Sequence, residues 1–163
     1  MFPNIPFRRV DWISSTFLIG TFLLTITAVP WYLFTFQWDW FMFGMFLVLY
    51  MCAGLSITVG YHRLFSHCAF KAKKPIRIFT LIFGAAAFEN SVLEWCSDHR
   101  NHHKHVDTDD DPYDISKGFF WAHIGWILFT LKTPPPLDNV SDLKRDPLIV
   151  WQHKWVHLIA FTV

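Results

Sequence analysis

The sequence predicts an all-α membrane protein: a transmembrane helical hairpin, then cytoplasmic or interfacial helices, then the start of a third membrane helix at the C-terminus. Three observations carry that fold class. Of the 163 residues 53% are hydrophobic and only 17% are charged, where a soluble domain carries about a quarter. Two uncharged runs stand near the N-terminus, each long enough for a bilayer core that takes roughly 20 helical residues. The apolar runs that follow are shorter and lie between charged and histidine-rich stretches. The 18 Phe and 9 Trp suit lipid–water boundaries, and a formal net charge of +1 argues against a nucleic-acid partner.

The first run, residues 12–38, is 27 residues without a formal charge and predicts a membrane helix over about 13–36. Asp11, Ser14 or Ser15 can cap its start, and Pro30 kinks it or marks its far end. The second run, residues 40–61, has 22 residues and predicts a membrane helix over about 41–61. Only Asp39 separates the two, so the turn is tight, with Trp31, Trp38 and Trp40 gathered there as an aromatic belt. Arg8 and Arg9 precede the hairpin; Arg63, Lys71, Lys73, Lys74 and Arg77 follow it; the turn has no cation. The positive-inside rule therefore places both ends in the cytoplasm, making the chain an integral, multi-pass membrane protein. The opening MFPNIPFRRVDW has no small-residue cleavage site, so no signal peptide is predicted.

Residues 78–88 form an apolar run of 11, and residues 118–131 a run of 14 interrupted by His123. Both are too short to span and predict buried or interfacial helices. A polar stretch, HKHVDTDDDPYD, lies between them, and the proline-rich loop TPPPLDNVSDLKRDP follows. From about residue 154 a further apolar segment begins, and the sequence stops after a few turns. A membrane helix ending there would leave carbonyls unpaired in hydrocarbon, so the expectation is an N-terminal fragment: one partial domain over 1–163, with a histidine-bearing cytoplasmic region over 62–150.

Histidines carry the chemistry. HRLFSH holds His62 and His67; DHRNHHKH holds His99, His102 and His103. Neutral imidazole ligates iron, zinc and copper. On a helix His99 shares a face with His102 and His103, while those two diverge by about 100°, so one turn can offer nitrogens to two neighbouring metals. His62 and His67, five apart, stand about 140° from one another on an α-helix and reach two metals, or one where the helix unwinds. If both groups serve one site, His67 and His99 lie on the same side of the membrane. The 11-residue run between them then never crosses it. A structural zinc site takes four ligands, often cysteine, and Cys52, Cys68 and Cys96 form neither a C-x-x-C nor an even set.

His105 reads as an ordinary polar residue, His123 as a hydrogen-bonded core histidine, and His153 and His157 as interfacial. Of Asp98, Asp107, Asp109, Asp110 and Asp111, one or two can accept the second N–H of a ligating imidazole. Asp111-Pro112 also reads as a plain turn.

GYHRLFSH, then EWCSDHRNHHKH, then DPYD and GFFWAHIGW, over roughly residues 55–155, resemble the membrane-bound fatty acyl desaturases, most of all their delta-9 acyl-CoA branch. The resemblance implies a di-iron centre held by imidazoles, in a cytoplasmic cap over a four-helix membrane stem. By motif position His62, His67, His99, His102 and His103 would be iron ligands, Asn90 and Trp95 would lie near the substrate, and Asp98 near its carrier end. It also implies the reaction: a cis double bond placed in a saturated acyl chain, with dioxygen and two electrons from a donor protein of cytochrome b, ferredoxin or rubredoxin type.

The family's third H-x-x-H-H box and a further histidine do not occur in these residues. Animal members have an arginine before Asp-His-Arg and an Arg-Lys pair after Gly-Trp, where CoA phosphates bind; here those positions hold Ser97, Thr130 and Leu131, with Lys132 displaced by one. A CoA thioester, an acyl-carrier protein or a lipid ester all stay open as carriers. An alkane or fatty-acid hydroxylase uses similar histidines, and a non-enzymatic membrane metal or haem carrier is the third reading.

Overall fold

The computed structural model describes residues 9–130 and 136–163. Arg8, Leu131 and Lys132, and part of the proline-rich loop, lie outside the described residues. Every named element is helical; the only strand-like feature among the described residues is an isolated bridge between Val10 and Phe129. The chain divides into two compact units, Met1–Trp40 with Val106–Pro134, and Phe41–His105 with Pro135–Val163.

In the first unit, α1 (Trp12–Phe36) starts at Asp11, whose carboxylate accepts from the N–H groups of Ile13 and Ser14 at 3.1 and 3.0 Å. Ser15 instead donates its hydroxyl to the Leu128 carbonyl. The helix continues through Pro30, and its 25 residues span about 37 Å. Thr21, Thr25, Thr27 and Thr35 each donate their hydroxyl to the carbonyl four residues back. Hydroxyls satisfied this way tolerate hydrocarbon, and the large apolar side chains around them are uncovered, as lipid-facing residues are. Three residues follow before the next helix begins at Trp40, with Gln37 at φ 64° and Trp38 edge-on to Trp40 at 5.5 Å.

The apolar run over 118–131 does not make one helix. A wide turn at Trp121–Gly125 leads into the single turn α5 (Trp126–Leu128), and Phe129 is then extended at φ −130°, ψ 127°. Backbone bonds from Asp11 to Leu128 and from Thr130 to Arg9 hold it there. A chain already paired with extended backbone cannot keep its helical bonds. His123, expected in a core, is exposed and stacks on Phe119 at 5.2 Å. Asp111 and Asp114 are the buried carboxylates of the acidic stretch; Asp111 accepts from the N–H groups of Asp107 and Tyr113 and Asp114 from that of Ser116, which makes both turn residues.

The second unit, from Phe41 on, holds all but the first residue of α2 (Trp40–Leu55), which passes into a widened helix over Ser56–Ser66 with i→i+5 bonding. Residues 40–66 together are long and apolar enough to cross a membrane, as is α1. Then come α3 (Lys74–Ala85), α4 (Val92–His105), two short turns at Leu137–Val140 and Leu143–Arg145, and α6 (Pro147–Thr162). α3 has 12 residues, about 18 Å, well short of a bilayer core of roughly 30 Å. α4 opens with a capping box, Ser91 and Glu94 each accepting from the other's backbone N–H. α6 begins several residues ahead of the expected apolar segment because Asp146 caps it and Pro147 occupies its first position.

Tyr61, Leu64, Phe65, Leu81, Val92 and Cys96 form the centre of the core, joined from the later turns by Val140, Leu143 and Ile149. Gly60 lets the widened helix lie against α3, since a Cβ there would stand 2.6 Å from the Thr80 Cβ. The three cysteines are unpaired.

Candidate metal centre

Two helices deliver the histidines, and each solves a spacing problem. On the α-helix α4, His99 and His103 are one turn apart and share a face. His62 and His67 sit at the end of the widened helix, where the His67 N–H donates to the His62 carbonyl at 3.0 Å. That i→i+5 bond stacks residues five apart nearly in line, so the spacing that diverges on an α-helix converges here. The helix widens where unwinding was one expectation.

Four ring nitrogens meet as a result. The Nε2 of His67 lies 3.0 Å from that of His62 and 3.1 Å from that of His99, which in turn lies 3.1 Å from that of His103. All four ligand atoms fall within 4.8 Å of one another. His102 stands beside the group, its ring 6.2 Å from His99 and 5.4 Å from His103, without joining it.

Protons cannot satisfy this arrangement pairwise. A neutral Nε2 either carries a hydrogen or offers a lone pair, never both. If His99 donates to His67, the same proton cannot also serve His103. A cation that accepts every lone pair removes the conflict, and bonds of about 2.1 Å at right angles put neighbouring nitrogens about 3 Å apart. Burial, reinforced by the neighbouring imidazoles, pushes the pKa of His99 down to about 4, which keeps its lone pair free at neutral pH. His67 is lowered for the same reasons. The residues present therefore fit a metal ion.

Of the other expected site residues, Trp95 is in ring contact with the cluster: it stacks on His99 at 4.8 Å and stands edge-on to His62 at 6.2 Å. Its indole N–H donates to Glu89 at 3.0 Å. Asp98 is half-buried beside His99, with its carboxyl pushed up to about 6 by burial and by the charge of Glu94. Asn90 lies exposed in the α3–α4 connection at φ 66°. Ser97 is fully buried and hydrogen-bonded to Asn139 at 2.8 Å, so this position faces the interior.

Some residues that shape the site were not placed there by sequence reasoning. Gln152 is fully buried; its amide donates to the Tyr61 hydroxyl at 2.7 Å and its carbonyl accepts from the Val92 N–H at 3.1 Å. It thus ties the residue before His62 to the start of the helix bearing His99. The available signal was its place in the apolar stripe of Ile149, Val156 and Ile159. His153, set aside as interfacial, contacts the Ser91 hydroxyl at 2.7 Å.

Comparison with known sequences is consistent with this geometry. The profile of the family described as Fatty acid desaturase matches residues 38–163. The chain belongs to the fatty acid desaturase family. A probable acyl-CoA desaturase from Schizosaccharomyces pombe (strain 972 / ATCC 24843) is 41% identical over 149 residues, 90% of this chain and 30% of the yeast protein. A delta(9)-fatty-acid desaturase from Caenorhabditis elegans is 42% identical over 78% of this chain and 39% of its own length. A stearoyl-CoA desaturase from Sus scrofa is 42% identical over 65% of this chain and 31% of its own length. This desaturase-family chain therefore spans between 30% and 39% of these curated relatives.

Proposed function

We propose that the protein carrying this chain is a fatty acyl desaturase, an oxidoreductase that places a cis double bond, at the delta-9 position, in a saturated acyl thioester. The observation that carries the reading is the convergence of His62, His67, His99 and His103, drawn from both histidine motifs of a desaturase-family chain, on one point. These four would hold iron through Nε2, and His102, its ring 5.4 Å from that of His103, would serve a second ion. Bound iron supplies the activation of dioxygen that an unactivated C–H pair requires, since such a bond gives acid–base chemistry no handle.

This chain's residues hold that site in place. With Nε2 as ligand, each imidazole keeps its ring proton on Nδ1. Trp95 braces the His99 ring, and Glu89 holds the indole from behind. Relatives named for acyl-CoA and stearoyl-CoA support a CoA thioester, and those named for delta(9) support the bond position. A relative from Trichoplusia ni is named for delta(11), which makes the position a property to be measured. The electrons come from a donor protein of the cytochrome b, ferredoxin or rubredoxin type.

The cations Arg9, Arg63, Lys71, Lys73, Lys74 and Arg77 flank the two apolar helices, which supports a multi-pass protein with its N-terminus and histidines cytoplasmic. Ring nitrogens that close on one another leave no slot for a haem plane, which speaks against a haem carrier. The test is membranes containing the whole protein, supplied with deuterated stearoyl-CoA, reductant and oxygen. A cis-delta-9 product supports the proposal. A hydroxylated chain would move it to the sister reaction, and a Soret band in the purified protein would end it.

A further inference from the structure

Arg100 follows His99 on α4, yet its side chain serves the helix that carries His67. Its Nε donates to the Ser66 carbonyl at 3.1 Å and its Nη2 to the Phe65 carbonyl at 3.0 Å. Those carbonyls belong to the last turn of the widened helix, where no further N–H follows to pair them. The outer edge of the guanidinium meets Asp142 in a fork, at 2.7 and 3.0 Å, and Nη1 also reaches the Asn139 carbonyl at 2.8 Å. Asn139 is fixed in turn by two bonds to Ser97 on α4. One planar group thus joins the end of the widened helix, α4 and the segment from Leu137 to Arg145.

We propose that Arg100 is a positioning residue for the histidine cluster. It acts by holding the backbone on which His67 rides, and Asp142 orients the guanidinium that does so. The inference rests on the reading of these histidines as metal ligands. His67 reaches His99 at 3.1 Å only because the widened turn ends where it does. A frayed end, with the Phe65 and Ser66 carbonyls turned to water, releases His67 first and leaves the pair on α4 in register. Lysine cannot substitute, because a single ammonium does not span two carbonyls and a carboxylate.

The test is cobalt(II) titration of the metal-free whole protein, read by visible absorption, with hydrogen exchange of residues 62–69 followed in parallel. In Arg100→Gln and Arg100→Lys, cobalt affinity is expected to fall roughly 10–100-fold, and the ligand-field bands to shift as one nitrogen is lost. Exchange should quicken over 65–69 and stay unchanged in α6. Wild-type affinity and spectrum in both variants would overturn the proposal while leaving the metal reading intact. No cobalt binding by the wild type, or binding untouched by His99→Ala, would overturn the metal reading and the proposal with it. Should the Arg100 variants fail to fold, Asp142→Ala carries the test: it keeps the guanidinium but removes the carboxylate fork that orients it, and unchanged affinity there overturns the proposal.

Discussion

The His67 N–H bonds to the His62 carbonyl at 3.0 Å, and the two imidazoles above that bond stand with their Nε2 atoms 3.0 Å apart. An ordinary α-helix would turn those side chains away from each other, since its i→i−4 bonding puts residues four apart in line. The site depends on the helix staying wide through Ser66. Tight packing against α3 at Gly60 limits where that segment can lie.

Gly60→Ala should therefore act on the metal site from a distance. The added methyl would stand 2.6 Å from the Thr80 Cβ, which is anchored to backbone and has no rotamer to yield. We expect a loss of about 1–3 kcal/mol in stability from overpacking, together with reduced metal content. Thermal unfolding and metal analysis of the same preparation check this. Wild-type metal content in a destabilised protein would show that the site tolerates displacement of the widened helix.

His99 and His102 should separate in their effects. His99 touches both His67 and His103 through Nε2, so His99→Ala removes the shared member of the four-histidine group. His102 lies beside that group, and His102→Ala leaves the four intact. Both substitutions are expected to abolish turnover. Metal content should fall further in His99→Ala, and His102→Ala should retain about half the wild-type metal, as expected where one of two neighbouring ions keeps its ligands. Equal loss in both would mean that the four histidines do not form a self-sufficient set.

How far the sequence foretold this site depends on the kind of signal each residue carries. The two apolar spans were legible because lipid demands long apolar runs, which α1 and residues 40–66 have. His99 and His103 were legible because α-helical spacing maps directly onto a shared face. His62 and His67 were ambiguous for the same reason: their spacing argues against a shared face on an α-helix, and nothing local announces a wide turn. Arg100 and Gln152 escaped notice because their partners lie far along the chain, at Asp142 and Tyr61. The run containing Phe129 misled because its backbone partner, Val10, overrides an apolar pattern that reads as helix.

Asp142 should give the unit a titratable element with a definite sign. The hydrogen bond from Arg100 holds its carboxyl below the ordinary carboxylate range. A group lowered on folding contributes stability that is fully present above its unfolded value, about 3.9, and lost as pH falls through the folded value. The stability difference between wild type and Asp142→Asn should thus be constant from neutral pH down to about 4 and shrink below it. Unfolding in detergent across that range tests this, and a difference that widens on acidification would show the opposite linkage. The effect will be small, because the Asp142 side chain is 52% exposed.

Gln152→Leu tests the buried bridge between the two histidine-bearing helices. Leucine fits an apolar stripe and keeps the helix, so on hydrophobicity alone α6 should be more stable. It also strands two groups at once: the Tyr61 hydroxyl, within a residue that is fully buried, and the Val92 N–H at the start of α4. Each orphaned polar group costs about 1–3 kcal/mol, which outweighs one extra buried aliphatic side chain. Tyr61→Phe strands only the Gln152 amide and should cost less, while the double variant still leaves Val92 unpaired and should not return to wild type. Unfolding temperatures of the three variants decide the matter: a Gln152→Leu protein as stable as its parent would show that water replaces the bridge.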